Sequence, residues 1–402
     1  MHDERTTGLA IRHHWRLDED VVFLNHGSFG ACPIPVLAEQ ARWRERMEAE
    51  PVRFFMREYE DALEHAKQAL ASFVGASSAD LAFVSNATAG VNTVLRSLPW
   101  RAGDELLTTD HAYGACRNAL EFVAERAGAT VKVARLPFPV DSPDAALQAI
   151  LDSVTERTRL ALIDQITSPS ALVLPVDAIV RALADRGVDT LVDAAHAPGM
   201  VPLALDATGA AYTTGNCHKW LCAPKGAAFL HVRPDRQSKI RPLAISHGAT
   251  ATTPGRTRFQ LEHDWTGTDD PSAWLSVPAA IDFLGGLVPG GWPALLRRNH
   301  ELAVSARERL LLAVGTPPIC PASMLGSMAA VSLPAAADIP GGRGHEHTRG
   351  IDPLQDRLWQ EHRIEVPVQP APSRPELRLL RVSAAPYSTL ADVERLAEAL
   401  TV

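Results

Sequence analysis

Lys219 sits in the run Gly215-Asn216-Cys217-His218-Lys219-Trp220, and Asp193 stands in the upstream run Val192-Asp193-Ala194-Ala195-His196. A lysine among apolar neighbours loses proton affinity, and the neutral amine attacks aldehydes. A carboxylate at the end of an apolar strand can keep a heterocyclic nitrogen protonated, which makes an aromatic ring an electron sink. A Schiff-base lysine paired with an acid on a pyridine nitrogen is the general pattern of pyridoxal 5'-phosphate (PLP) chemistry. The ordinary alternatives are an exposed loop lysine for Lys219 and a turn or helix-cap acid for Asp193.

Other residues could complete such a site. Ser85-Asn86-Ala87-Thr88-Ala89-Gly90 joins a strand to a helix. Free amides at a helix start, with the Thr88 hydroxyl, suit a phosphate, although Asn86 or Thr88 could simply cap the helix. His196 could hydrogen-bond a phenolic oxygen or serve as a packing histidine. His111 and Tyr113, in Asp110-His111-Ala112-Tyr113-Gly114, offer two rings for stacking on a cofactor. Either could stack, and the other would then pack or touch substrate. Arg381 is flanked by apolar residues in Leu380-Arg381-Val382-Ser383. A half-buried arginine needs an anion, either a substrate carboxylate gripped by two parallel bonds or an internal acid. In Thr266-Gly267-Thr268, Gly267 between two hydroxyls permits close approach to a phosphate.

These residues need a scaffold that gathers strand ends. From about residue 80 to 232, short apolar runs alternate with amphipathic segments: strands at 81–84, 105–109, 130–136, 160–166, 190–193 and 227–232, and helices at 89–98, 113–126, 142–154 and 176–186. Apolar strands alternating with helices predict an α/β fold with a mostly parallel sheet covered on both faces. Ligands on such sheets bind beyond the strand ends, and Asn86, His111, Thr167, Asp193 and His196 all follow strands. Residues 36–75 read as two polar helices broken near Pro51, and 234–272 as a long ordered loop. Residues 278–287 and 294–312 read as helices, and the rest as a small α+β domain. The Pro/Gly/His-rich stretch 334–350 reads as a surface loop. The expected division is an N-terminal segment (1–35) packing on the small domain and active site, a large cofactor-binding domain (36–285) and a small C-terminal domain (286–402).

The 402 residues suffice for two domains and a large core. The net charge of −8 is spread along the chain, so no basic stripe suggests nucleic acid. No signal peptide or membrane span is expected. Five cysteines without paired spacing predict reduced thiols, no metal site and a cytoplasmic protein.

Taken together, Leu24-Asn25-His26-Gly27-Ser28-Phe29-Gly30, Asn86-Ala87-Thr88, the His111 and Asp193 runs, Asn216-Cys217-His218-Lys219-Trp220-Leu221, Trp265-Thr266-Gly267-Thr268 and Arg381-Val382-Ser383 resemble the fold-type I PLP enzymes of the class-V aminotransferase superfamily, in the isopenicillin N epimerase-like group. The resemblance spans roughly residues 20 to 400. It implies a large domain around a mostly parallel, seven-stranded-type sheet and a small α+β domain. Lys219 would be the Schiff-base lysine and proton shuttle, and Asp193 the partner of the pyridine nitrogen. His111 corresponds in register to the stacking aromatic. Ala87, Thr88 and His218 would hold the phosphate, and Thr167 would lie near the phenolic oxygen. Thr268, beside Gly267, would reach the phosphate of a partner subunit, which implies a homodimer with shared active sites. Arg381 would take the α-carboxylate of an amino-acid substrate, with Asn25, His26, Gly27 and Ser28 alongside.

Departures from the pattern bear on the reaction. Asn216 stands where desulfurases commonly carry a phosphate-binding serine, and its amide can still donate to phosphate. Gln165, after Asp164, replaces a histidine common among epimerase-like relatives and cannot titrate near neutrality. No cysteine follows Cys320, whereas desulfurases carry a persulfide-forming thiol on a mobile loop; the loop here offers His345 and His347. Epimerisation or racemisation would need a second proton donor, for which Tyr113 and His111 are candidates. C–S lysis would need neither a second base nor a catalytic cysteine. Transamination is a further alternative. Specificity for the side chain would come from residues 23–30, 53–59 and 240–268.

Overall fold

The computed structural model describes residues 11–334, 351–372 and 374–401; His345 and His347 lie outside the described residues. Seven strands form the central sheet: β2 (Leu81–Val84), β3 (Glu105–Thr109), β4 (Thr130–Ala134), β5 (Thr158–Asp164), β6 (Asp189–Asp193), β7 (Tyr212–Asn216) and β8 (Ala228–Val232). A two-residue strand, β1 (Val22–Phe23), precedes them. The order is β2-β8-β7-β6-β5-β3-β4, and only β8 runs against its neighbours. The chain is thus α/β, and its strands are buried throughout except in the edge strand β4 and at single positions in β2, β5 and β6, as expected of a sheet covered on both faces.

β7 carries no apolar run that would mark it as a strand, and it adds to the strands expected from the sequence. Its burial is made possible by small polar residues that satisfy themselves: the Thr214 hydroxyl donates to the Phe229 carbonyl at 2.8 Å. Close approach matters here too. A Cβ on Gly90 would stand 2.1 Å from Thr214 Oγ1, so glycine lets the helix Ala87–Ser97 settle on β7. A second correction concerns residues 234–272. They include a helix, Arg258–Asp264, opened by a capping box between Thr257 and Gln260; its short length and surrounding Gly/Thr/Pro hid it. The break at Pro51 leads into a π-helical turn, Phe54–Glu58, before the helix Tyr59–Val74.

The C-terminal part forms a three-stranded antiparallel sheet, β11 (Val368–Ala371), β12 (Arg374–Ser383) and β9 (Met328–Ser332), in that order. The long helix Gly291–Val314 packs against β9 and the C-terminal helix Leu390–Thr401. β1 pairs in parallel with β10 (Ile364–Glu365), tying the N-terminal segment to this smaller unit. One apolar cluster runs from Ile163 and Val192 of the large sheet to Met328 and Leu380 of the small one, so burial of a shared core fixes the two sheets relative to each other.

Candidate active site

A cavity of about 430 Å³ opens beyond the ends of β2, β5, β6 and β7. Its lining includes Asn86, Thr88, Tyr113, Asp193, His196 and Lys219. That size lies within the range of about 300–1,000 Å³ usual for small-molecule sites.

Lys219 is nearly buried, and its amine is pulled down to about 8, first by burial and then by the Arg381 charge. Its Nζ lies 3.2 Å from His196 Nε2. Burial and the Lys219 charge hold His196 well below its ordinary value, so the ring is neutral. Trp220 Nε1 donates to His196 Nδ1 at 3.4 Å. The ring proton therefore sits on Nε2 and faces the lysine, which accepts it only as the neutral amine.

Asp193 ends β6 with both oxygens engaged: the Ala195 amide donates to Oδ1 at 3.0 Å and the Cys116 thiol to Oδ2 at 3.1 Å. Burial raises its pKa, while these donors and Lys219 oppose the rise. A cation brought to this carboxylate would pull it back down. Asp164 is its register partner on β5. Burial and then the Asp193 charge push Asp164 well above the usual carboxylate range, so it keeps a proton. Its Oδ2 accepts from the Tyr113 amide at 3.1 Å.

At the opposite end, the helix Ala87–Ser97 starts at the cavity wall. Asn86 Oδ1 accepts from the Ala89 amide and Asn216 Oδ1 from the Ala87 amide, both at 2.8 Å. The Thr88 amide and hydroxyl remain at the helix start for an anion. His218 lines the same wall, with Nδ1 3.0 Å from the Ala227 carbonyl; burial lowers it to about 4.

Arg381, on β12, is 2% exposed. Nη1 donates to the Ser168 carbonyl at 2.6 Å and Nη2 to the Ser28 hydroxyl at 3.1 Å. Its Nε is buried with no hydrogen-bond partner among the described residues. Neutral oxygens orient it, and burial lowers it to about 10. A buried guanidinium held this way favours an incoming carboxylate.

The loop before Gly30 supports this arrangement from behind. A Cβ on Gly30, at φ 71°, would stand 2.0 Å from the His218 carbonyl oxygen, so glycine permits the contact. His26 is fully buried, with Nε2 3.0 Å from the Lys219 carbonyl and Nδ1 2.8 Å from the Tyr387 hydroxyl. Gly27 donates its amide to Ser383 Oγ, and Asn25 joins Ser28 to Glu365. Of these four residues, Ser28 lines the cavity.

The comparisons agree with the geometry. The aminotransferase class-V family model matches residues 31–334. The chain is 38% identical to isopenicillin N epimerase of Amycolatopsis lactamdurans, over 98% of each chain. The chain belongs to the class-V aminotransferase family. It is also 34% identical to a putative L-cysteine desulfhydrase of Oryza sativa, over 97% of this chain and 84% of the relative. Among solved structures, a mutant of C-DES with glycine covalently linked to its PLP cofactor superposes with a TM-score of 0.79 at 19% identity, covering 97% and 98% of the two chains. Membership makes this a PLP-dependent enzyme, and the residues present fit the cofactor: an amine, a buried acid and a helix N-terminus line one cavity.

Not every expected residue reaches that cavity. Arg381 is not among the lining residues and stands behind Ser28 and Ser168, which are. His111 is fully buried, its Nδ1 2.6 Å from Ser170 Oγ; Tyr113, not His111, is among the lining residues. Thr167 is buried in a turn, with its hydroxyl 2.8 Å from Ser170 Oγ. Gly267 and Thr268 lie elsewhere, and Thr268 is exposed. Phe55 and Tyr59 pack on Trp265, and Arg53 pairs with Glu58. Conversely, Asp164, Ser168 and Phe29 line the cavity without having been singled out. For Asp164 the signal was available: an acid closing an apolar strand, as Asp193 does.

Proposed function

We propose that this family member epimerises an amino acid at its α-carbon. The observation that carries the reading is the meeting of Lys219, Asp193 and Tyr113 in one cavity, in a chain that aligns end to end with an isopenicillin N epimerase. PLP bound there supplies the aldehyde that captures amines and a ring that accepts the electron pair left at the α-carbon. Arg381 takes the substrate carboxylate, oriented by Ser28 and Ser168. Lys219, in its neutral-amine form, removes the α-proton. Asp193 holds negative charge at the ring nitrogen. Ala87, Thr88, Asn86, Asn216 and His218 hold the phosphate. Tyr113 keeps its proton, because burial raises its pKa, and is the lining group that can return one to the carbon.

A specific observation also favours a second reading, C–S lysis. A phenol that holds its proton is a poor second base, whereas elimination at the β-carbon needs only Lys219; the desulfhydrase relative points the same way. We further propose a cytoplasmic homodimer. The exposed Thr268, outside its own chain's cavity, is free to reach a partner's phosphate, and all five cysteines are free and buried. Among the described residues, no helix is long and apolar enough to cross a membrane.

Incubation of an amino-acid panel in deuterium oxide tests the reaction. Epimerisation gives α-deuterated product with loss of chirality, and Tyr113→Phe should slow it about 10²-fold. Deuteration with retained configuration ends the epimerase reading, and release of pyruvate from cysteine-type substrates replaces it with the lyase.

A further inference from the structure

We infer that Cys116 is a positioning residue of the cofactor site: its thiol locks the Asp193 carboxylate in one orientation. The inference rests on the PLP reading above and adds a residue to it. Cys116 is fully buried in the first turn of the helix Gly114–Ala127. Its Sγ donates to Asp193 Oδ2 at 3.1 Å while the Ala195 amide holds Oδ1. Two donors on two oxygens stop the carboxylate from rotating.

The choice of donor has a physical consequence. An arginine or lysine here would neutralise Asp193 and compete with a protonated ring nitrogen. A thiol is a weak, uncharged donor, so it orients the acid and leaves its charge for the cofactor. The thiol stays a donor at working pH, because burial and the neighbouring Asp193 and Asp164 push its pKa up. The helix that carries Cys116 begins at Tyr113, whose amide is tied to Asp164. The sulfur is therefore anchored from the same turn that sets the phenol on the cavity wall.

Two variants and two readouts test the assignment. Cys116→Ala adds no bulk and donates nothing; its PLP-free protein should bind PLP about ten- to a hundredfold more weakly. Cys116→Ser keeps a donor and should bind within about threefold of the wild type. The second readout needs no cofactor. The S–H stretching band, isolated by subtracting the Raman spectrum of Cys116→Ser from that of the PLP-free wild type, should lie on the hydrogen-bonded side and move back in Asp193→Asn. Cys116→Ala binding PLP as tightly as the wild type, or a band indifferent to Asp193→Asn, overturns the inference. A wild type that shows the shifted band yet takes up no PLP sinks the cofactor reading and, with it, the role assigned to the thiol.

Discussion

The two halves of the cavity are built differently. The cofactor half comes from strand ends of one sheet: Asp164, Asp193 and Asn216 close β5, β6 and β7, and Asn86 follows β2. The substrate half is assembled from opposite ends of the chain. Ser28 meets Arg381, Gly27 meets Ser383 and His26 meets Tyr387, through a segment held to the small sheet unit by only two register pairs. Elements of one parallel sheet fix relative positions through a continuous backbone ladder. The substrate half is tied mainly by side-chain bonds, with a short backbone ladder in which the Leu24 amide donates to Glu365 and the Ser383 amide to the Leu24 carbonyl. The fixed half suits a cofactor common to the family, and the side-chain-tied half is where relatives can change substrate.

Substitutions should separate the halves. Lys219→Ala removes the amine of the cofactor half. Borohydride reduction followed by mass spectrometry should then find no PLP on the peptide that carries it in the wild type, and turnover should fall by at least about 10³-fold with the fold intact. PLP fixed at another residue would break the assignment. Arg381→Gln removes the cation of the substrate half. PLP affinity should stay within about threefold, while kcat/KM falls about 10²- to 10³-fold, mainly through KM, since the substrate carboxylate loses its cationic partner. A large loss of PLP affinity instead would show that the halves are one unit.

The same division explains what was legible in the sequence. Apolar strands followed by a polar residue announce themselves within a few positions, so Asp193, Asn86 and the sheet were readable, and the 36–75 helices with them. β7 was not, because Thr214 and Asn216 are buried by hydrogen bonds to the distant Phe229 and Ala87 and by the Gly90 contact rather than by apolarity. The substrate half was readable only as motifs. Nothing within Leu24–Gly30 says that His26 supports the Lys219 backbone while Ser28 faces the cavity; that split follows from contacts with residues more than 190 positions away. Asp164 is harder to read because its role comes from Asp193, its register partner on the next strand.

One effect crosses between the halves, and it is the smallest. Arg381 is the second cause, after burial, of the lowered Lys219 pKa. Only the neutral amine captures an aldehyde, so the initial rate of PLP capture by cofactor-free protein should rise with pH and level off above about 8. Below that pH it should drop about tenfold per unit, as the neutral fraction does. In Arg381→Gln a cation near the lysine is gone, the ammonium form is favoured, and the midpoint should move upward toward the ordinary lysine value. Stopped-flow capture followed across pH 6.5 to 10 in both proteins measures it. An unmoved midpoint would mean that burial alone sets the lysine, and that the substrate half acts on the cofactor half only through the substrate that joins them.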